Sequence, residues 1–82
     1  MALSGVSIYI IRKLYGWNKI GEKYTNIHNV LRALPPKHRS KTILKGCIKE
    51  LRNEGLVIIH KKGECISLNK HELGRIEDLI LK

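Results

Sequence analysis

The sequence predicts a small α+β fold in which three helices are followed by a β-hairpin and a closing helix. Apolar residues recur at helical spacing in three successive segments, and two β-rich runs then flank a turn that contains glycine. A last amphipathic segment ends the chain. With 82 residues, the chain is expected to form one domain over residues 1–82, whose core takes up nearly all of the periodic apolar residues.

The chain has a formal net charge of +9, from sixteen basic and seven acidic residues. Thirteen of the basic residues but only three of the acidic ones lie in residues 12–62, whereas residues 63–82 are slightly acidic. This excess indicates a polyanionic partner, either nucleic acid or anionic lipid. Residues 1–11 are too short for a transmembrane span and lack the basic start of a signal peptide. We therefore expect a cytoplasmic protein that does not bind a membrane.

The cysteines and histidines show no metal-binding pattern. Cys47 and Cys65 belong to no C-x-x-C or C-x-x-H pair, and the four histidines match no common zinc spacing. A cluster of Cys47, His60 and Cys65 is the one arrangement that the order of elements allows. We expect reduced, buried cysteines, no metal and no other cofactor. No nucleophile–base pair, phosphate loop or carboxylate pair is found, so we do not expect an enzyme.

The first helix is expected over about residues 4–15, although its many β-branched residues would also suit a strand. It begins at Ser4 or Ser7 and ends at Gly16. Two apolar faces fit the helical spacing, one with Ile8, Ile11 and Tyr15 and the other with Val6, Ile10 and Leu14. The following loop carries two aromatic residues, Trp17 and Tyr24, which either stack on an unpaired base or close the core.

The second helix is expected over about residues 25–34, with Thr25 or Asn26 as its N-cap. Its apolar positions have the spacing i, i+3, i+4, i+7 and are Ile27, Val30, Leu31 and Leu34. Pro35 and the proline after it end the helix, because proline lacks an N–H group and restricts the preceding residue.

The third helix is expected over about residues 40–54, capped by Ser40 and ended at Gly55. Its inner positions are Ile43, Leu44, Cys47, Ile48 and Leu51. Its outer positions are all basic and are Lys41, Lys45, Lys49 and Arg52. Gly46 is unusual inside a helix, where it costs about 1 kcal/mol relative to Ala. It indicates close approach of another backbone or of DNA.

The hairpin is expected over residues 56–68, with its turn at residues 61–64 and Gly63 at positive φ. Ile66 and Leu68 are expected to point inward and Ser67 outward. The last helix is expected over about residues 70–81, with a start that resembles a capping box at Asn69. Its apolar face either packs on the first helix or forms a homodimer contact, and the residues of that contact are Leu73, Ile76 and Ile80.

The basic outer face of the third helix is the main functional signal. A helix of this width fits a major groove and brings its cations to the phosphates on both walls. A merely solvated face is the alternative. We expect Thr42 and Lys45 at base edges, and Lys49 and Arg52 on phosphates. The full set of expected nucleic-acid contacts is Arg32, Lys37, Arg39, Ser40, Lys41, Thr42, Lys45, Lys49, Arg52, Lys61 and Lys62.

Four short motifs add a family resemblance. They are a Y-x-W loop leading to K-x-T at residues 15–25, L-P at residues 34–35, I-x-x-L-x-x-E-G-L at residues 48–56, and I-S-L-N at residues 66–69. With these motifs the chain resembles winged helix-turn-helix DNA-binding domains over most of residues 8–80, in particular small archaeal ones of regulatory role.

The resemblance implies a transcriptional regulator that binds double-stranded DNA, with the third helix as recognition helix and the hairpin as wing. Winged helices also bind RNA or serve as protein-interaction modules, and both alternatives stay open. The sequence does not identify a DNA target site, and it supports no role in sensing an effector.

Overall fold

Four α-helices and a three-stranded antiparallel sheet are formed by residues 3–81, which are the residues that the computed structural model describes. In chain order the elements are α1 (Gly5–Gly16), β1 (Thr25–Asn26), α2 (Ile27–Ala33), α3 (Lys41–Asn53), β2 (Val57–His60), β3 (Cys65–Leu68) and α4 (Leu73–Ile80). Short 3-10 turns lie at Pro36–His38, Lys61–Gly63 and Lys70–Glu72. The predicted α+β class is confirmed.

The sheet has the strand order β1-β3-β2. β2 and β3 form the expected hairpin, in which His60 pairs with Cys65 across the turn. The sequence did not predict β1, whose two residues it assigned to the start of the second helix. Thr25 pairs with Ile66 of β3, so a short segment before α2 covers the second edge of that strand.

The helix ends follow local capping chemistry. The side chains of Ser4, Asn26 and Ser40 accept backbone N–H groups at the starts of α1, α2 and α3. Gly55 follows the end of α3 and takes a positive φ of 73°, as expected of a glycine that terminates a helix. α1 ends at Gly16, as expected, and the left-handed conformation comes two residues later, at Asn18 with φ 57°.

The core lies between the helices and one face of the sheet. Each helix and the hairpin supply side chains that are almost fully buried, among them Ile10 and Leu14 of α1, Leu51 of α3 and Ile66 of β3. Two predictions about single residues were wrong. Ser67 is fully buried, not outward, because its hydroxyl is hydrogen-bonded beneath the loop before β1. Ile43 is 37% exposed, because it lies at the edge of the buried stripe of α3.

α4 begins at Leu73, since residues 70–72 form a 3-10 turn that the Asn69 side chain caps. Ile76 is fully buried and Ile80 is 7% exposed, and both belong to the core. Leu73 packs against that core. Of the predicted dimer contact Leu73, Ile76 and Ile80, the last two are therefore core residues that are not available to a second copy, and a homodimer through α4 stays a prediction.

Candidate nucleic-acid interface

The outer face of α3 carries four exposed cations, and we call it the basic face: Lys41, Lys45, Lys49 and Arg52. Within residues 3–81 none of them forms an ion pair. No acidic residue lies in the first turn of α3. The positive end of the helix dipole therefore adds to the charge of the lysines there, which favours an anion at this end.

The acidic residue of α3 and the acidic C-cap residue that follows the helix are both turned away from the basic face. Glu50 points to the start of α1, where its carboxylate accepts hydrogen bonds from Ser4 and Ser7. Glu54 accepts a hydrogen bond from Arg75 of α4 at 3.1 Å. These contacts with α1 and with Arg75 hold both carboxylates away from the side where the cations of α3 lie.

A narrow groove of about 180 Å³ runs between α2 and α3 beside the basic face. Apolar side chains form its floor, while Lys41 and Lys45 stand on one side and His28 on the other. His28 was missed by the sequence analysis. The packing of α2 on α3 brings it here, and no pattern within α2 marks it.

Gly46 lies in the middle of α3 and is exposed. A Cβ atom built on it meets nothing within 4 Å, so no part of this chain between residues 3 and 81 requires a glycine there. The structure thus excludes close approach of the chain's own backbone. Approach of a partner to the basic face remains the explanation that the sequence suggested.

The tip of the hairpin presents Lys61 and Lys62, both exposed and both at positive φ, 52° and 56°. The ammonium group of Lys61 lies 5.9 Å from the centre of the Tyr24 ring, and that ring stacks on His60 at 4.6 Å. Tyr24 thus makes an internal contact with the hairpin, next to the tip.

A buried hydrogen-bond chain continues from His60. Its Nε2 lies 2.9 Å from the hydroxyl of Ser67, and that hydroxyl donates to the carbonyl of Gly21 at 2.7 Å. Since a hydroxyl has one proton, Ser67 accepts from His60, and His60 carries its proton on Nε2. The chain joins the hairpin to the loop before β1.

Three predicted contacts lie away from the basic face. Arg32 lies beside Trp17, in a depression between α2 and the loop after α1. Lys37 lies against the first turns of α1, next to Val6. The guanidinium of Arg39 donates to the carbonyls of Arg32 and Leu34 and so caps the end of α2. Ser40 also has a structural role, since its hydroxyl accepts from Ile43 N at 3.5 Å.

Residues 3–81 hold no group of three or more His, Cys, Asp or Glu side chains that could bind a metal ion, and the cluster of Cys47, His60 and Cys65 is not formed. In the same part of the chain, every helix is too short or too polar to cross a bilayer. No family model, curated protein or solved structure matches the chain.

Proposed function

We propose that the protein is a winged helix-turn-helix domain that binds double-stranded DNA and regulates transcription. α3 enters the major groove, and the Lys61–Lys62 tip of the hairpin touches the flanking backbone. The order α2, turn, α3, hairpin agrees with the order that the family resemblance implies. The observation that carries the proposal is four exposed cations on one helix, with the carboxylates of Glu50 and Glu54 held by contacts to other elements.

The alternative of a merely solvated face is less well supported. A solvated basic helix usually gains stability from acidic partners at i+3 or i+4, and Glu50 and Glu54 make their contacts with other elements instead. Neighbouring unpaired cations along the basic face repel each other, and Lys41 also lies in the first turn of α3, where the helix dipole disfavours a cation. Bound phosphates would relieve that repulsion. A partner of this kind explains why the cations of the basic face have no ion pairs within residues 3–81.

The test is a titration of a labelled DNA duplex followed by fluorescence anisotropy, with structured RNA of equal charge as competitor. If four phosphates are neutralised, a roughly fourfold rise in salt concentration weakens binding about a hundredfold. Preferential displacement by RNA would favour the RNA-binding alternative. Absence of duplex binding at low salt would overturn the proposal and favour a protein-interaction module.

Charge reversal gives a sharper version of this test. The double variant K45E/K49E is expected to lose at least about tenfold in duplex affinity, while its thermal midpoint stays nearly unchanged because both side chains are exposed. The matched control K23E/K70E changes the net charge equally at two exposed lysines outside α3. Equal losses in both double variants would mean that only the net charge matters, and would overturn the assignment of α3.

A further inference from the structure

A second basic surface lies at the end of α1. Two shallow depressions of about 370 and 390 Å³ meet there and share one side chain, Trp17. Their charged lining consists of Arg12, Lys13, Lys19 and Arg32, and we call this set with Trp17 the Trp17 surface. Within residues 3–81, the lining comes from α1, the loop after it, β1 and α2, and includes no residue of α3 or the hairpin.

Trp17 is the only tryptophan of the chain, and 39% of it is exposed. It is neither part of the buried core nor among the partly buried side chains packed against it in residues 3–81. Its backbone is nevertheless held, because its N–H caps α1 by donating to Lys13 O at 2.9 Å. Trp17 therefore lies outside the buried core of residues 3–81, and part of its indole faces solvent at the end of α1.

The neighbours of Trp17 are polar and positive. No acidic residue lines either depression, and none of the four cations forms an ion pair within residues 3–81. Asn29 donates its amide nitrogen to Thr25, and in that part of the chain its amide oxygen takes no hydrogen bond. The surface thus combines an aromatic platform, several cations and a free acceptor.

We infer that the Trp17 surface binds a single-stranded stretch of nucleic acid, with one unpaired base stacked on the indole and the flanking phosphates held by the cations. This is the combination by which proteins hold single strands, because an unpaired base offers a ring face that a duplex keeps stacked inside. A lipid surface is less well matched, since the larger depression beside the indole is lined by Lys19, Thr25, Asn29 and Arg32, whereas a membrane contact needs apolar neighbours. The inference is independent of the function proposed for α3.

The single tryptophan makes the test direct, because its fluorescence reports on this surface alone. Short thymidine oligomers of DNA and uridine oligomers of RNA are titrated against the full chain, and a duplex of equal length is titrated in parallel. Saturable quenching by the oligomers and little quenching by the duplex are expected. Comparison of the affinities for the two oligomers shows whether the bound strand is DNA or RNA. Quenching by anionic phosphatidylserine vesicles but not by either oligomer would overturn the inference in favour of a membrane surface.

Variants separate stacking from charge. W17A is expected to bind a labelled oligomer about tenfold more weakly by anisotropy, as for loss of one stacked base. W17L, whose side chain is apolar but cannot stack, should lose as much oligomer affinity as W17A. If neither variant lost oligomer affinity, the inference would be overturned. Retained thermal midpoints show that each variant is folded.

The charge pair R12Q/R32Q is compared with K45Q/K49Q, which removes the same charge from α3. Arg12 and Arg32 are exposed, so their replacement should not change the fold. The first pair should weaken oligomer binding and spare duplex binding, and the second should do the reverse. Loss of both activities in both variants would show one shared site and overturn the inference. If the chain bound the oligomers but not the duplex, the function proposed for α3 would fail and the inference about the Trp17 surface would stand.

Discussion

The buried hydroxyl of Ser7 on α1 donates a hydrogen bond of 2.9 Å to Oε2 of Glu50 on α3. The other oxygen of Glu50 accepts the backbone N–H of Ser4 at 3.2 Å, at the N-cap of α1. One carboxylate thus complements the positive end of α1 and joins it to α3. The same contact holds the negative charge of α3 on the side opposite to the basic face. The contact between Ser7 and Glu50 therefore contributes both to the stability of the fold and to the charge distribution around the basic face.

Replacement of Glu50 by Ala should destabilise the fold by about 1–3 kcal/mol, because it leaves the buried hydroxyl of Ser7 without its acceptor. Duplex affinity should not fall, since no cation of the basic face is removed. Urea denaturation and the anisotropy titration measure the two effects. E64A is the control, because Glu64 is exposed and its side chain has no partner within residues 3–81. Equal stability of the two variants would refute a structural role for Glu50.

Replacement of Gly46 by Ala should have opposite effects on stability and binding. The added methyl group meets nothing within 4 Å, so the gain in helix propensity should stabilise the fold by about 1 kcal/mol. If a duplex approaches the basic face at Gly46, the same methyl group should weaken duplex binding. Thermal denaturation and anisotropy give the two numbers.

Gly74 provides the matched control for that experiment. It lies within α4, is exposed, and also has open space around a built Cβ atom. Because Gly74 lies in the first turn of α4, G74A should stabilise the fold by less than G46A does, and it should leave duplex binding unchanged. If G46A bound the duplex as tightly as G74A, close approach at position 46 would be ruled out.

Much of the architecture could be predicted because its causes are local. The period of apolar residues in α2 and α3, the capping side chain of Ser40 and the glycine at position 55 act within a few residues of one another. β1 could not be predicted in this way. It has two residues, and Thr25 is extended because β3 offers an open edge to it. Ser67 was misplaced because alternation assumes that one face of a strand is solvated, whereas both faces of β3 are covered.

The candidate site could be predicted only in part for a related reason. Helical spacing alone places Lys41, Lys45 and Lys49 on one face of α3, and the structure has them there. Spacing says nothing about which surface Arg32 joins, because that depends on how α1 packs against α2. The role of Arg39 as a cap for α2 likewise depends on the path of the turn between the helices.

Replacement of Ser67 by Ala should destabilise the fold by about 1–3 kcal/mol. The change leaves two partly buried groups, the carbonyl of Gly21 and Nε2 of His60, without their partner. Thermal denaturation measures the loss. In the wild type, the ring nitrogens observed by NMR at neutral pH should show the proton of His60 on Nε2. A proton on Nδ1 with a bare Nε2 would contradict the hydrogen-bond chain, whatever the stability of S67A.

The stability of the fold should fall at alkaline pH through Tyr15. Its hydroxyl donates to Oε2 of Glu77 at 2.6 Å and so joins α1 to α4. This hydrogen bond, with smaller contributions from burial and from the charge of the carboxylate, raises the pKa of Tyr15 above its ordinary value of 10.0. The folded chain therefore holds the phenolic proton more tightly than the unfolded chain does. The resulting stability is fully present below the ordinary pKa and is lost as the pH rises through the raised one.

Replacement of Tyr15 by Phe removes this dependence together with the hydrogen bond. Urea denaturation at neutral and at strongly alkaline pH should show a difference in stability between wild type and Y15F that narrows as the pH rises. E77Q tests the cause, because it keeps the phenol but removes the charged acceptor. Its alkaline loss should be smaller than that of the wild type. Wild-type and Y15F curves that stay parallel across this range would show that the contact between Tyr15 and Glu77 does not contribute to the alkaline behaviour of the fold.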